Sequence, residues 1–276
     1  MYKRQSLNGT KLTYIFPDNG GVRGADVDKA KKLGIDAQIA ADIHVGADGG
    51  LAQASNLFAS HPDFHTSAVN LETNGGTHAH SRALQEAADL NTFFNAPESL
   101  QKRVLVRTAS FCTERSGHFD NFDQGIMFYL PNQTWLQPPG HAHAMIARNR
   151  PLNAHNVTVR GAQQQSGTLT GTGGGLSVSA QSSDDGSSIV VRVVNPFASP
   201  IGPSKPPQIT FAVELSSRCK TCRLDVLSAK PSEANPSWDI DRVSPKQMKC
   251  TIHGGVVSPT PLMPYSYSVF ELSGCA

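Results

Sequence analysis

Strand-like and helical segments alternate through the first half of the chain, and this alternation constrains the fold more than any other feature. The predicted strands are Lys11–Phe16, Ala37–His44, Ser67–Glu72 and Val104–Phe111, and the predicted helices between them are Ala25–Leu33, Gly50–Ser60 and His80–Phe94. A β-α-β-α order predicts parallel α/β architecture. Four strands are too few to close an eight-stranded barrel, so the pattern fits about half of a (β/α)8 barrel.

The character of the sequence changes near residue 155. A further strand-like run, Gly125–Leu130, and a helix, His141–Arg148, precede the change. From Asn156 onward, short β-rich runs are separated by Gly, Ser and Pro, which predicts an antiparallel β-sandwich. The predicted organisation is therefore a non-native or linker start at 1–10, a partial barrel at 11–155 and a β-sandwich domain at 156–276.

Composition excludes several classes of function. Of the 276 residues, 38% are hydrophobic, and no apolar run approaches the ~20 residues that span a bilayer. The net charge is +2 with Lys and Arg spread along the chain, which gives no footprint for nucleic acid. We therefore expect neither nucleic acid nor a membrane as the partner, but a small or neutral molecule.

Four of the five cysteines lie in the β-rich tail. Cys219 and Cys222 form a CxxC pair, but the βαβ context of a redox motif is missing and no second CxxC completes a zinc site. A structural or disulfide role is the expectation. Sequons at Asn8, Asn132 and Asn156 fit a secreted or extracellular protein, although about two are expected by chance.

Two consecutive predicted strands end on residues that can do chemistry. Glu72 precedes Gly75 and Gly76, and His44 precedes Gly46. (β/α) barrels carry their catalytic groups at the carboxyl ends of the strands. A carboxylate there can attack an anomeric carbon while a second carboxyl group, ~5–5.5 Å away in a retaining glycosidase, protonates the leaving oxygen. The alternatives are a surface glutamate before a turn and a histidine that only satisfies a strand end.

Other residues are candidates for contacts with a sugar. Asn74 can bond hydroxyl groups or simply favour the turn before Gly75. Trp135 can stack on a sugar or belong to the core, and Asp18 is a second carboxylate or a turn residue.

The pairs His78/His80 and His141/His143 offer a competing interpretation as metal ligands. An HxH pair points both rings to one side on a strand, whereas both pairs here lead into helices, where side chains at i and i+2 diverge. The default interpretation is therefore a helix-start or rim histidine, and His78 joins the sugar-binding candidates on that basis. No metal or other cofactor is predicted.

From about Leu12 to Leu272 the chain resembles the carboxy-terminal part of α-L-arabinofuranosidases of glycoside hydrolase family 51. Residues 68–74 (AVNLETN) are similar to the nucleophile segment at the end of the seventh barrel strand, and residues 40–46 (AADIHVG) to the sixth strand. The more specific matches are residues 183–195, 233–247 and 264–272, which resemble segments of the family's β-sandwich. The resemblance implies a retaining barrel enzyme with Glu72 as nucleophile and His44 at the sugar.

The sequence departs from the family pattern in several places. Gly46 and Thr73 stand where aromatic residues are usual. The family's acid/base glutamate follows an asparagine, and no Asn-Glu dipeptide occurs in this chain. Residues Met1–Gln5 resemble a translated library adapter. These features together predict an N-terminally truncated fragment that lacks its acid/base and is inactive or nearly so.

The predicted parent function is release of terminal arabinofuranosyl residues from an arabinose-containing polysaccharide or oligosaccharide. The alternatives are a metal-dependent barrel hydrolase and a non-catalytic carbohydrate-binding protein. A homo-oligomer is compatible with the resemblance, since the family is often hexameric.

Overall fold

The computed structural model describes residues 14–16, 24–35, 39–44, 52, 55–56, 59, 68–73, 77–101, 106–109, 111–115, 125–148, 153–155, 157, 176–196, 210–214 and 218–276. The chain divides into two compact units, the first formed by Met1–Thr73 and Ser99–Thr108 and the second by Asn74–Glu98 and Ala109–Ala276. The predicted boundary near residue 155 lies inside the second unit.

The first unit contains a four-stranded sheet. Its strands are β1 (Tyr14–Phe16), β2 (Ile39–His44), β3 (Ala68–Thr73) and β4 (Val106–Ala109), in the order β1-β2-β3-β4. β2 is parallel to both β1 and β3. This arrangement confirms the parallel character predicted from the alternation of elements.

Helix α1 (Gly24–Lys32) connects β1 to β2 in sequence and ends as its residues predict. Lys29, Lys31 and Lys32 lie in its last turn, where cations complement the helix dipole. Gly34 follows with φ of +63°, and its N–H donates to the carbonyl of Lys31. A glycine in the left-handed region closes a helix without steric strain. The next predicted helix, Gly50–Ser60, lies largely outside the described residues.

The second unit is dominated by antiparallel strands, as predicted for the tail. Its largest sheet has the order β13-β12-β16-β10-β9-β8, and a three-stranded sheet has the order β11-β15-β14. The strands are β8 (Asn153–His155), β9 (Ser177–Ser182), β10 (Ser188–Asn195), β11 (Thr210–Glu214), β12 (Thr221–Ser228), β13 (Lys246–Met248), β14 (Ile252–His253), β15 (Val256–Pro261) and β16 (Ser266–Ser273).

The six-stranded sheet is buried on both faces. Val191 and Val193 of β10 share a core with Val257 of the three-stranded sheet. Val190 and Val194 belong to a second core on helical residues. Because side chains alternate across a strand, β10 contributes to both cores, and its sequence is apolar from Ile189 to Val194 except at the buried Arg192.

Helix α2 (His80–Phe94) has the predicted bounds and buries the predicted Leu84, Ala87, Ala88 and Leu90. Its apolar face packs with strands of the six-stranded sheet and with helix α4 (Pro138–Arg148). A hydrogen bond adds to this packing, since Asn91 Nδ2 of α2 donates to Ser177 O of β9 at 3.0 Å. The unit boundary therefore precedes α2, because this helix buries its surface against residues that follow residue 155. A short helix, α3 (Glu98–Gln101), comes next in the sequence.

The segment predicted as one strand, Val104–Phe111, is two strands in two sheets. After β4, strand β5 (Phe111–Arg115) pairs in parallel with β6 (Gly125–Leu130), and β6 forms an antiparallel pair with β7 (Gln133–Leu136). Helix α4 then begins with Pro138 and Pro139, which suit a first helical turn. Gly140 allows close packing, since a Cβ there would lie 2.2 Å from the Ile126 carbonyl oxygen.

Two disulfides cross-link the β-rich part of the second unit, Cys219–Cys275 and Cys222–Cys250. The disulfide role predicted for these cysteines is confirmed, and the CxxC cysteines bond to distant partners rather than to each other. Among the residues that the structure describes, none of the helices combines the length and the apolar character of a bilayer-spanning helix.

Candidate functional site

Glu72 and His44 lie side by side in the parallel sheet. His44 is the last residue of β2, and Glu72 is the penultimate residue of β3. The two strands are parallel, and their register pairs His44 directly with Glu72. The backbone therefore places both residues at the carboxyl end of the same sheet, where α/β enzymes bind and transform their ligands.

In the second unit, His78 and Trp135 each pack against the ring of Phe128. The His78 ring lies 4.8 Å from the Phe128 ring, and the Trp135 ring lies 6.1 Å from it in an edge-to-face arrangement. Asn74, the remaining sugar-binding candidate, lies outside the described residues, as does Asp18. The structure thus brings together two separate pairs of candidates, His44 with Glu72 and His78 with Trp135.

Trp135 is a core residue in this structure. Its side chain is only 5% exposed, and its Nε1–H donates to the carbonyl of Asn235 at 2.7 Å. A buried indole with its single donor satisfied is the arrangement expected of a packed tryptophan. The burial favours the core alternative over the sugar-stacking role, for which an open ring face is needed.

The two HxH pairs do not converge on a common point. The His80 ring is fully buried and hydrogen-bonds Tyr265 O through Nε2 at 2.7 Å, whereas the His78 ring packs at a tilt against Phe128. In α4, His143 Nε2 contacts Glu86 Oε2 at 2.8 Å, whereas His141 Nε2 is buried without a hydrogen-bond partner. Within the described residues, no group of three or more His, Cys, Asp or Glu could hold a metal ion.

Burial controls the charge of two of these histidines. Desolvation lowers the pKa of His80, against smaller opposing effects of the Tyr265 carbonyl and the Glu233 carboxylate. Desolvation likewise lowers the pKa of His141, opposed by Asp241. Burial therefore favours the neutral form of both rings, because a buried imidazolium loses its hydration.

A buried ion cluster links α2 to α4. Arg82 Nε donates to Glu86 Oε1 at 2.7 Å, and the other oxygen of Glu86 contacts His143. Arg82 and Glu86 are both almost fully buried. The i, i+4 spacing of Arg82 and Glu86 was visible in the sequence, but nothing there indicated that this pair would lie on the buried face. The cluster fastens the two helices together.

The loop from Ala229 to Pro245, between β12 and β13, is an organising feature that sequence reasoning missed. We call it the Asn235 loop. The buried Asn235 accepts from Trp135 and Gln137 through its carbonyl and donates its Nδ2 to Leu136 O and Val243 O, and its Oδ1 accepts from Val243 N. The sequence did contain indications of this loop. Residues 233–247 are among the segments that resemble the family, and an asparagine before a proline favours a turn.

The same loop caps helix α2. The carbonyl oxygens of Glu233 and Pro231 accept from the N–H groups of His80 and Ser81 at 2.8 and 2.9 Å. These N–H groups have no partners within the helix, so the loop satisfies them where no side chain does.

A cleft of about 630 Å³ elsewhere in the unit, between Asn95–Pro97 and β8, contains none of the predicted site residues.

No protein-family model matches the sequence, and no curated protein sequence matches it either. Solved structures do resemble the chain. An arabinose-bound family 51 α-L-arabinofuranosidase is 14% identical with a TM-score of 0.58, over 85% of this chain and 36% of its own. The α-L-arabinofuranosidase of Thermotoga maritima, in complex with arabinose, is 12% identical with a TM-score of 0.57, over 85% of this chain and 52% of its own.

A xylanase of glycoside hydrolase family 30, from Talaromyces cellulolyticus, is also similar, with 14% identity and a TM-score of 0.53 over 90% of this chain and 55% of its own. The chain thus spans between about a third and a little over half of the length of these structures. At such low identity the likeness shows a fold, and this fold is shared by glycosidases named for different substrates. The predicted resemblance to family 51 α-L-arabinofuranosidases is confirmed at the level of the fold.

Proposed function

We propose that this chain is the carboxy-terminal part of a retaining α-L-arabinofuranosidase that releases terminal arabinofuranosyl residues from an arabinose-containing glycan. In this proposal residues 11–155 supply strands 5–8 of a (β/α)8 barrel, with β1 to β4 as those strands. Residues 156–276 form the β-sandwich that follows. The fold similarity to family 51 enzymes supports the proposal.

The pairing of His44 with Glu72 is the observation that carries this proposal. A glycosidase nucleophile needs a fixed position, because its carboxylate must be aimed at one carbon of the sugar ring. The strand ends of a parallel sheet supply that rigidity. A neighbouring imidazole can hydrogen-bond a hydroxyl of the same sugar or the nucleophile itself.

The proposed reaction has two steps. The Glu72 carboxylate attacks the anomeric carbon and forms an ester, while a carboxylic acid protonates the departing glycosidic oxygen. The same acid, now a carboxylate, takes a proton from water as the water attacks the anomeric carbon, and the bond between that carbon and the Glu72 oxygen breaks. The family's Asn-Glu acid/base motif is absent from this chain, so we propose that this group lies in residues upstream of Leu12 in the parent enzyme.

A secreted or extracellular location is part of the proposal. Disulfides persist in oxidising compartments and are rare in the cytosol. The Cys219–Cys275 and Cys222–Cys250 bonds are therefore the features that support it. A glycosidase acting on external polysaccharide works in such a compartment.

The test compares this chain with a product extended by its upstream coding sequence, using p-nitrophenyl α-L-arabinofuranoside. We expect turnover from the extended product and roughly 10²–10⁴-fold less from this chain, because general acid catalysis supplies a factor of that size. In the extended product, Glu72→Gln should lower kcat by roughly 10⁴-fold, as removal of a catalytic group typically does.

Asp28→Asn provides the matched control, since it also neutralises a carboxylate of the first unit but on an exposed helical position. This variant should retain full turnover. Equal activity of the two chain lengths would refute the fragment proposal, and an active Glu72→Gln enzyme would refute the assignment of the nucleophile.

A further inference from the structure

The chain has two tryptophans in opposite environments, and the second is unexplained by packing. Trp135 is 5% exposed, whereas Trp238 is 82% exposed. Within the described part of the chain, Trp238 is the most exposed large hydrophobic side chain. Leaving an indole in water forgoes the burial that normally stabilises a fold, and an exposed indole offers a flat apolar face on which a ligand can stack.

Trp238 stands on a rigid support. It belongs to the Asn235 loop, three residues after the buried asparagine that makes hydrogen bonds in both directions along the chain. Its neighbour Ser237 accepts at its carbonyl from Gln133 Nε2 at 2.9 Å, and Asp239 N donates to Pro236 O at 3.0 Å. Trp238 therefore lies inside a closed turn that is tied to the β6–β7 hairpin. A ring held in this way loses little conformational freedom when a ligand stacks on it.

Two polar side chains follow Trp238 closely in the same loop. Arg242 Nε donates to Asp239 Oδ2 at 3.0 Å, and both side chains remain about half exposed. An exposed indole with a guanidinium and a carboxylate four residues and one residue after it in the chain suits a ligand that presents one apolar face and a rim of hydroxyl groups. A pentose or hexose ring has this character.

We propose that Trp238 is a stacking platform for a neutral sugar residue of a glycan chain, with Asp239 and Arg242 as hydrogen-bonding partners of its hydroxyls. The glycan is the arabinose-bearing polysaccharide of the proposed function, on which this inference rests. A protein partner fits less well, because aspartate is depleted at protein interfaces, and two exposed aspartates, Asp239 and Asp241, follow this ring.

Tryptophan fluorescence of this chain tests the platform. Trp135 is buried and gives a constant background, so binding of arabinan or arabinoxylan should change the emission of the exposed Trp238. Affinity electrophoresis in gels containing each glycan measures binding independently. We expect Trp238→Ala to weaken binding by up to about tenfold, since contacts of an aromatic ring are worth up to about that factor, and Trp238→Phe to weaken it less.

Met263→Ala is the matched control, because Met263 is another exposed apolar side chain of the same unit and its two hydrogen bonds use its carbonyl. Its binding should equal that of the unaltered chain. The inference is overturned if neither glycan binds, or if Trp238→Ala binds as tightly as the unaltered chain. These results are separate from the turnover of the extended product. If that product shows Glu72-dependent turnover but no glycan binds at Trp238, the stacking platform is rejected and the proposed function stands.

Discussion

The two units of this chain differ in what their described residues offer. In the first unit, a parallel sheet holds Glu72 and His44, the residues of the proposed chemistry, at neighbouring strand ends. The second unit holds two hydrophobic cores, two disulfides and the hydrogen-bonded Asn235 loop. The proposed chemistry depends on where two strands end. Stability in the second unit depends on many contacts between residues far apart in sequence.

This difference predicts how each unit responds to change. Replacing a strand-end side chain removes chemistry while leaving the sheet hydrogen bonds in place. Replacing a disulfide or the buried, multiply hydrogen-bonded Asn235 in the second unit lowers the free energy of unfolding.

Loss of the Cys219–Cys275 disulfide should have the largest effect on stability. The bond closes a separation of 56 residues, against 28 for Cys222–Cys250. The chain-entropy model gives roughly 4 kcal/mol for the longer loop and about 0.6 kcal/mol less for the shorter one. Urea unfolding of the Cys219→Ser/Cys275→Ser and Cys222→Ser/Cys250→Ser proteins measures both values. Equal stability of either variant and the unaltered protein would show that the cross-links do not restrain this unit.

Asn235→Ala should lower the free energy of unfolding by about 3 kcal/mol. The substitution leaves the carbonyls of Leu136 and Val243 and the N–H of Val243 without partners in a buried site. Asn235→Asp keeps the shape and the acceptor for Val243 N, but it turns a carboxylate oxygen toward two carbonyls. We expect it to be at least as damaging at neutral pH. Denaturant midpoints compare the two, and a harmless Asn235→Asp would show that the amide donors do not hold the loop.

Two glycines of the second unit should respond differently to alanine. At Gly140 the new Cβ would meet the Ile126 carbonyl at 2.2 Å, so we expect a loss of about 2–3 kcal/mol from overpacking. At Gly186 nothing lies within 4 Å, and the cost of about 1 kcal/mol comes from its φ of +68°. Thermal melts should rank Gly140→Ala below Gly186→Ala. The reverse order would mean that α4 can move away from β6.

The smallest effect concerns acid pH. Burial lowers the pKa of His80 below its ordinary value of 6.5, so the unfolded chain takes up a proton at a higher pH than the folded chain does. The stabilising contribution of the neutral ring is thus complete above pH 6.5 and is lost as the pH falls below it, with a slope of at most about 1.4 kcal/mol per pH unit.

His80→Gln retains a side-chain donor for Tyr265 O but cannot take up a proton. Its free energy of unfolding should therefore fall less steeply between pH 6.5 and 5 than that of the unaltered protein. His141→Gln serves as a second case, since burial lowers the pKa of His141 as well. Identical slopes in all three proteins would show that neither ring is held neutral by the fold.

Local patterns predicted the elements whose residues carry a clear period. Helix His80–Phe94 and strand Gly125–Leu130 have the bounds predicted, because the 3.6-residue period and a short apolar run define them without help from the rest of the chain. The same periodicity could not say what α2 packs against. Amphipathicity identifies a buried face but not its partner, so the assignment of α2 to the β-rich unit needed the structure.

The candidate site was predictable to a similar degree. Strand ends alone located Glu72 and His44, and the parallel register places them together. The sequence could not show which tryptophan is buried, because this depends on the Asn235 loop. The loop accepts the indole hydrogen bond of the buried Trp135 and carries Trp238 on a solvent-exposed turn. Disulfide pairing was likewise undecided, since four cysteines allow three connectivities.

The most direct test of the central claim is to trap the sugar on the enzyme. The extended product is incubated with a 2-deoxy-2-fluoro-α-L-arabinofuranoside carrying a fast leaving group, which slows hydrolysis of a covalent intermediate more than its formation. Peptide mass spectrometry then locates the adduct. We predict a fluoroarabinosyl ester on Glu72, absent from Glu72→Gln. An ester on another carboxylate, or retained turnover with no ester at all, would contradict the account.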